Sequence, residues 1–182
     1  MNYGTIDRCT GGVASADSET NGAAASAFDN NDATFWAGSD GLPHYIIYDF
    51  GAGVSYAISK LTALLFATSG CMWKDFTVSG KIDGGSIFDT LYTGVAADIA
   101  TLQTFTWVNK TRYRYIKTNI TTDYRASAHY ATAYELAMFE GLYPGGFGFG
   151  SPMIFLKDMW DKHNKLWAPK GLILPKDLSL QY

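Results

Sequence analysis

From His44 to Gly141 the chain is cut into short runs of β-forming residues, each closed by a turn. This punctuation restricts the fold more than any other feature. "HYIIYDF" is a dense β-former run that ends at Gly51, and "YAISKLTALLF" follows it with Ile58, Leu61, Leu64 and Phe66. "KDFTVSGKI" alternates, placing Phe76, Val78 and Gly80 on one face and Asp75, Thr77 and Ser79 on the other. "IFDTLYTG" is short; in "LQTFTWV" the residues Leu102, Phe105 and Trp107 are out of phase, which predicts a bulge. "RYRYIKTNI" sets Tyr113, Tyr115 and Lys117 against Arg114, Ile116 and Thr118. "AYELAMFEG" sets Tyr134, Leu136 and Met138 against Glu135, Ala137 and Phe139. Roughly seven or eight short strands at this spacing, with Gly, Asp and Asn between them, predict an all-β antiparallel sandwich. Residues 5–27 are small and polar and predict an irregular entry with one short strand.

The pattern stops after Gly141. "LYPGGFGFGSP" is too rich in Gly and Pro for a regular element and is expected to be a hinge over residues 142–151. Residues 152–182 are apolar, with a short helix predicted from Ser151-Pro152 through "MIFLKDMWDKHNKLW". A tail this apolar does not resemble a disordered segment. It packs on its own domain, residues 1–141, or on a neighbour, and the glycine hinge favours the neighbour.

Composition removes some functions. A net charge of -3 over 182 residues offers no basic stripe for phosphates, so nucleic acid is not an expected partner. Five Trp, 12 Tyr and 11 Phe exceed what one core needs, and the surplus suits sugar contacts or assembly. Cys9 and Cys71 are too few for a disulfide scaffold, and their pairing stays open. No secretory leader opens the chain and no apolar run nears the ~20 residues of a membrane span. The expectation is synthesis in the cytoplasm, then exposure on a virion or another extracellular surface. Asn109-Lys110-Thr111 and Asn119-Ile120-Thr121 match the glycosylation sequon.

"AFDNNDATFWAG", residues 27–38, is the most polar stretch beside aromatics. Such a loop either folds around a cation or closes by hydrogen bonds to its own backbone. Motifs for catalysis are missing: there is no G-x-S-x-G, H-E-x-x-H or G-x-x-x-x-G-K. His44, His129 and His163 do not stand at metal-ligand spacing, and "GGFGFG" lacks the context of a dinucleotide loop.

Five stretches taken in order, "AFDNNDATFWAG", "YIIYDFGAG", "WKDFTVSGKIDGG", "RYRYIKTNI" and "AYELAMFEG", resemble the discoidin, or coagulation factor 5/8 type C, superfamily. This group includes the family-32 carbohydrate-binding modules. The resemblance spans about residues 10–141 and implies an eight-stranded galactose-binding-like jelly roll. It also implies a structural calcium ion held by Asp29, Thr34 and Glu135 with backbone oxygens of Ser26, Asn31 and Tyr134. Oxygen ligands from carboxylates and carbonyls agree with calcium chemistry. One position departs from the pattern: the family's Gly after the Asp is Asn30 here, a residue that tolerates left-handed backbone angles.

Sugar sites pair an aromatic ring with planar polar groups. "TTDYRASAHYAT", residues 121–132, supplies Asp123, Tyr124, Arg125, His129 and Tyr130, and precedes the closing strand. Trp73 and the 40–44 loop are further candidates. Trp73 either stacks on sugar or covers the end of the sandwich, whereas Trp36 is expected in the core and His44 at a solvated edge. The leading expectation is a non-catalytic, lectin-like module that binds glycan. Display on a larger assembly such as a phage tail, fibre or capsid, for host attachment, would engage other subunits through residues 142–182. A purely structural assembly subunit and an ancillary module of a secreted glycosidase are the alternatives. Membrane binding has thin support in Met72-Trp73-Lys74.

Overall fold

The computed structural model describes residues 2–65, 72–125 and 129–142. The expected hinge and apolar tail lie outside them, apart from Leu142, which ends a strand. Cys71 lies outside them too, while Cys9 is buried and carries a free thiol.

Ten strands form among the described residues, all paired antiparallel. They are β1 (Asn2–Tyr3), β2 (Val13–Ala16), β3 (Trp36–Ala37), β4 (His44–Asp49), β5 (Ile58–Leu65), β6 (Asp75–Lys81), β7 (Asp89–Val95), β8 (Gln103–Thr106), β9 (Tyr115–Ile120) and β10 (Thr132–Leu142). Two have only two residues, so the expected eight-stranded sandwich is present with two short additions. One sheet runs β1-β10-β5-β8, with β3 also on β10; the other runs β2-β4-β9-β6-β7.

Period-two alternation decides which face is buried. In β4, Ile46 and Tyr48 turn inward while Tyr45 and Ile47 turn outward, and β9 buries Ile116, Thr118 and Ile120. Phe76 of β6 is fully buried against Phe105 of β8 at 4.8 Å between centroids and against Trp73 at 5.9 Å, joining the two sheets. Truncating such a ring costs about 3–5 kcal/mol. Trp36 is fully buried, as expected, and its indole N–H donates to the Ser18 carbonyl at 2.9 Å.

The bulge expected in "LQTFTWV" is not there. Residues 103–106 pair one-to-one with β5, and Gln103, Phe105 and Trp107 share the buried face. Leu102 precedes the strand and is exposed, so it was never part of the alternation. Register shifts occur instead in β10 and between Val78 and Ser79 of β6. The sequon at Asn109 is closed by the fold: this Asn is buried, and its amide N–H groups donate to the Ile58 and Thr111 carbonyls.

Candidate functional site

Strand pairing gathers the loops. His44 and Phe76 both pair with Ile120, Asp75 pairs with Val95, and Ala133 pairs with both Trp36 and Leu65. The connections 38–43, 72–74 and 96–102 and the segments 121–125 and 129–131 therefore meet at one end of the sandwich.

The 121–125 segment is fastened to β6. Thr121 donates its hydroxyl to the Asp75 carbonyl at 2.9 Å, and the Thr122 hydroxyl accepts from the Asp75 N–H at 3.0 Å while donating to its carboxylate. Trp73 bridges to Asp123 through the backbone. This anchoring drives the Asp123 side chain inward until only 1% of it is exposed. Its Oδ1 accepts from the Arg125 N–H at 3.1 Å and from His129 Nδ1 at 2.8 Å. Donation from Nδ1 leaves Nε2 as the acceptor of a neutral His129 ring. Oδ2 is buried without a hydrogen-bond partner among the described residues. Leu42, Thr121, Thr122, Asp123 and His129 line a shallow pocket of about 220 Å³ here. Asp40, on the facing loop, accepts from the His129 backbone N–H at 2.8 Å.

Of the expected ligand residues, the fold brings Asp123 and His129 into this pocket. Arg125 and Tyr130 stack beside it as a cation–π pair at 5.6 Å. Tyr124 leans away, donating its hydroxyl to the Ala96 carbonyl at 2.7 Å beneath Lys74. Trp73 corrects its candidacy outright. It is fully buried, so it covers the end of the core and offers no face to a sugar. His44 is corrected as well: it is buried, with Nδ1 3.0 Å from Asp17 Oδ2 and Nε2 2.8 Å from the Ser39 carbonyl. Gly38 makes room for that ring, since a Cβ there would meet His44 Cδ2 at 2.8 Å. Leu42 and the two threonines fall within the 40–44 and 121–132 loops that the sequence marked, but were not singled out there as contact residues.

The acidic turn sits elsewhere on β10. Asn30 adopts the left-handed conformation anticipated for it, with φ 56°. Asp29 Oδ1 accepts from the Asn31 N–H at 3.0 Å, and Oδ2 from the Thr34 hydroxyl at 2.7 Å. The Asn31 carbonyl accepts from the Thr34 N–H at 3.0 Å and lies 2.9 Å from the Thr34 hydroxyl, whose single proton is shared with Asp29. The turn thus closes on itself by side chain–backbone bonds. Against it stands Glu135. In β10, Ala133 pairs with Leu65 and Glu135 with Leu64, so Tyr134 is the extra residue of a bulge. Bulges re-aim neighbouring side chains.

Both Glu135 oxygens are buried without a hydrogen-bond partner among the described residues. Burial pushes its carboxyl up to about 7; the nearby Asn30 and Asn31 amides oppose the shift, and the Asp29 charge adds to it. Neither amide closes a bond of normal geometry to the carboxylate, so burial prevails over their approach. Asp7, unnoticed in the sequence, accepts from the Cys9 and Met138 N–H groups at 2.9 and 3.0 Å and adds negative charge near Glu135. No cluster of three or more His, Cys, Asp or Glu fit for a metal forms among the described residues. A site with two carboxylates and several carbonyls does not require one. Ser26 lies in a 3-10 turn, Ala24–Ala27, just ahead of the loop.

Two antiparallel sheets with polar loops gathered at one end make a galactose-binding-like β-sandwich. The F5/8 type C domain pattern matches residues 12–136, and the chain belongs to that family. A family-32 carbohydrate-binding module from Clostridium perfringens, solved with GalNAc-β-1,3-galactose, is 25% identical, with a TM-score of 0.60 over 70% of this chain and 94% of that one. The family-32 module of C. perfringens NanJ, solved with galactose, is 21% identical with a TM-score of 0.62, covering 73% and 96%. The module of AlyQ, solved with 4,5-unsaturated mannuronic acid, is 21% identical with a TM-score of 0.59, covering 71% and 95%. No curated protein matches the chain.

Proposed function

We propose that the chain is a non-catalytic carbohydrate-binding module that holds a sugar residue in the pocket over Asp123. The observation that carries this reading is the buried, unpartnered Oδ2 of Asp123 beside a solvent-facing His129. A buried acceptor left open is costly unless something donates to it. Sugar hydroxyls are such donors, and a carboxylate with an adjacent imidazole Nε2 can accept from two of them. Leu42 supplies an apolar wall for a ring's C–H face. The modules solved with GalNAc-β-1,3-galactose, galactose and mannuronate support the ligand class. A glycan array probed with the full chain tests the reading. Binding to galactose-terminated or related glycans that Asp123→Asn weakens is expected; a blank array contradicts it.

The residues also fit a calcium ion. Two buried oxygens of Glu135 without a partner, next to Asp29, are what a divalent cation would satisfy. Asp29, Thr34 and Glu135 would hold it, with backbone oxygens of Ser26, Asn31 and Tyr134. The ion would supply charge neutralisation and a tie between the acidic turn and β10. It would take no part in a reaction.

The finer setting is display on a larger particle, such as a phage tail, fibre or capsid for host attachment. Its support is the apolar composition of residues 152–182. Sedimentation of the full chain beside residues 1–142 tests it: association confined to the full chain is expected, and equal monomers would count against it.

A further inference from the structure

The outward face of the β4-β9-β6 sheet carries a second feature, away from the loop pocket. Lys117 of β9 lies over the Tyr45 ring at 5.4 Å and over Phe88 at 4.7 Å. Lys81 of β6 lies over the same Phe88 at 5.1 Å and over Tyr115 at 4.3 Å. Lys117 pairs with Ser79 and Lys81 with Tyr115, so the two lysines are diagonal neighbours, about 7–8 Å apart at their roots. Neither ammonium has a carboxylate within ion-pair distance among the described residues. Arg114, beside them over Tyr115 at 4.7 Å, is by contrast committed to Asp49 and Asp83.

Long flexible lysines normally lose entropy when they bind an anion. Here the rings hold both ammonium groups in place beforehand, which lowers that cost. The arrangement is a flat, preorganised pair of cations on a chain whose net charge is -3. We propose that this sheet face is a second glycan-binding surface, which takes an acidic polysaccharide by salt-bridging its uronate carboxylates to Lys81 and Lys117.

Other occupants fit less well. A second copy packed face to face would bring four ammonium groups together, which disfavours a symmetric dimer. Nucleic acid needs many phosphate contacts, and two free cations on an acidic chain are too few. An extended polymer with one carboxylate per sugar matches a flat, strand-lined surface with spaced charges. The inference goes beyond the loop-pocket reading and shares with it only the ligand class.

Affinity electrophoresis of the full chain through gels containing sodium polymannuronate, neutral galactan, polyglutamate or DNA provides the test. Polymannuronate should retard the wild type, less so as salt rises. K81A/K117A should weaken this about five- to tenfold, the loss of two exposed charge pairs. K81R/K117R should retain it. Both lysines lie on the solvent side, and the single variants K81Q and K117Q give the same reading if the double variant does not fold. Unretarded wild type, equal retardation of K81A/K117A, or equal retardation by polyglutamate or DNA would overturn the proposal. A blank glycan array with retention in polymannuronate would defeat the loop pocket alone, and the reverse result would defeat this face alone.

Discussion

Glu135 and Asp123 each bury carboxylate oxygen that no group among the described residues satisfies, yet the two are set in different surroundings. Glu135 faces the Asp29–Thr34 turn, whose own oxygens are already engaged in closing the turn. Asp123 lies under a pocket whose wall includes His129, 45% of whose side chain is exposed. The proposed occupant of the first is therefore a small ion, and that of the second a group from solvent. Burial of a charge does not by itself announce a ligand; its access decides whether it acts as a clasp or a receptor.

Trp73→Ala separates core from receptor most sharply. It should cost about 3–5 kcal/mol of stability in a denaturant titration. A variant that melts like the wild type but no longer binds glycan would return Trp73 to the ligand site. The clasp comes next. With calcium at a hundredfold excess over its dissociation constant, stability should rise by about 2.7 kcal/mol. Chelation should reverse this in the wild type and do nothing in Glu135→Gln; chelator-indifferent melting of the wild type would leave Glu135 as a merely buried acid. Asp123→Asn keeps the acceptor for His129 but removes the charge. It should weaken glycan binding by about 2 kcal/mol, roughly thirtyfold, with little change in melting.

Asp49 supplies the fully paired reference. Arg114 grips it through Nε and Nη2 at 2.7 and 2.8 Å, and this holds its carboxyl below the ordinary 3.8. A depressed folded value means stability that is present above 3.8 and lost as pH falls through that value toward the folded one. The pair is partly solvated, so the loss should be no more than about 1 kcal/mol. Asp49→Asn should flatten that part of an acid melting series, and an unchanged acid limb would deny the pair any role.

Much of the sandwich was legible because strands announce themselves locally: the alternation read in β9 follows from period-two geometry and survives in the structure, and that of β6 holds from Asp75 to Val78. The bulge was misplaced for a related reason. Leu102 looks like a strand residue by type, but the strand starts at Gln103, and sequence alone marks such boundaries poorly. The Asn30 conformation and the meeting of Asp29 with Glu135 were anticipated from the family pattern, not from spacing. His44 went wrong, and Trp73 stayed undecided between core and ligand site, because burial at a loop end depends on what folds over it. The 38–43, 121–125 and 129–131 segments close around those residues through partners far along the chain, such as His129 with Asp40 and Trp73 with Asp123. Asp7 was invisible for the same cause, since its partner Met138 is 131 residues away.

Calorimetric titration of the full chain with a glycan chosen from the array, run on wild type and Asp123→Asn side by side, tests the central claim most directly. The account predicts saturable wild-type binding that falls roughly thirtyfold in the variant, while both proteins melt alike. Equal affinities in two equally stable proteins would contradict it and place the sugar somewhere other than over Asp123.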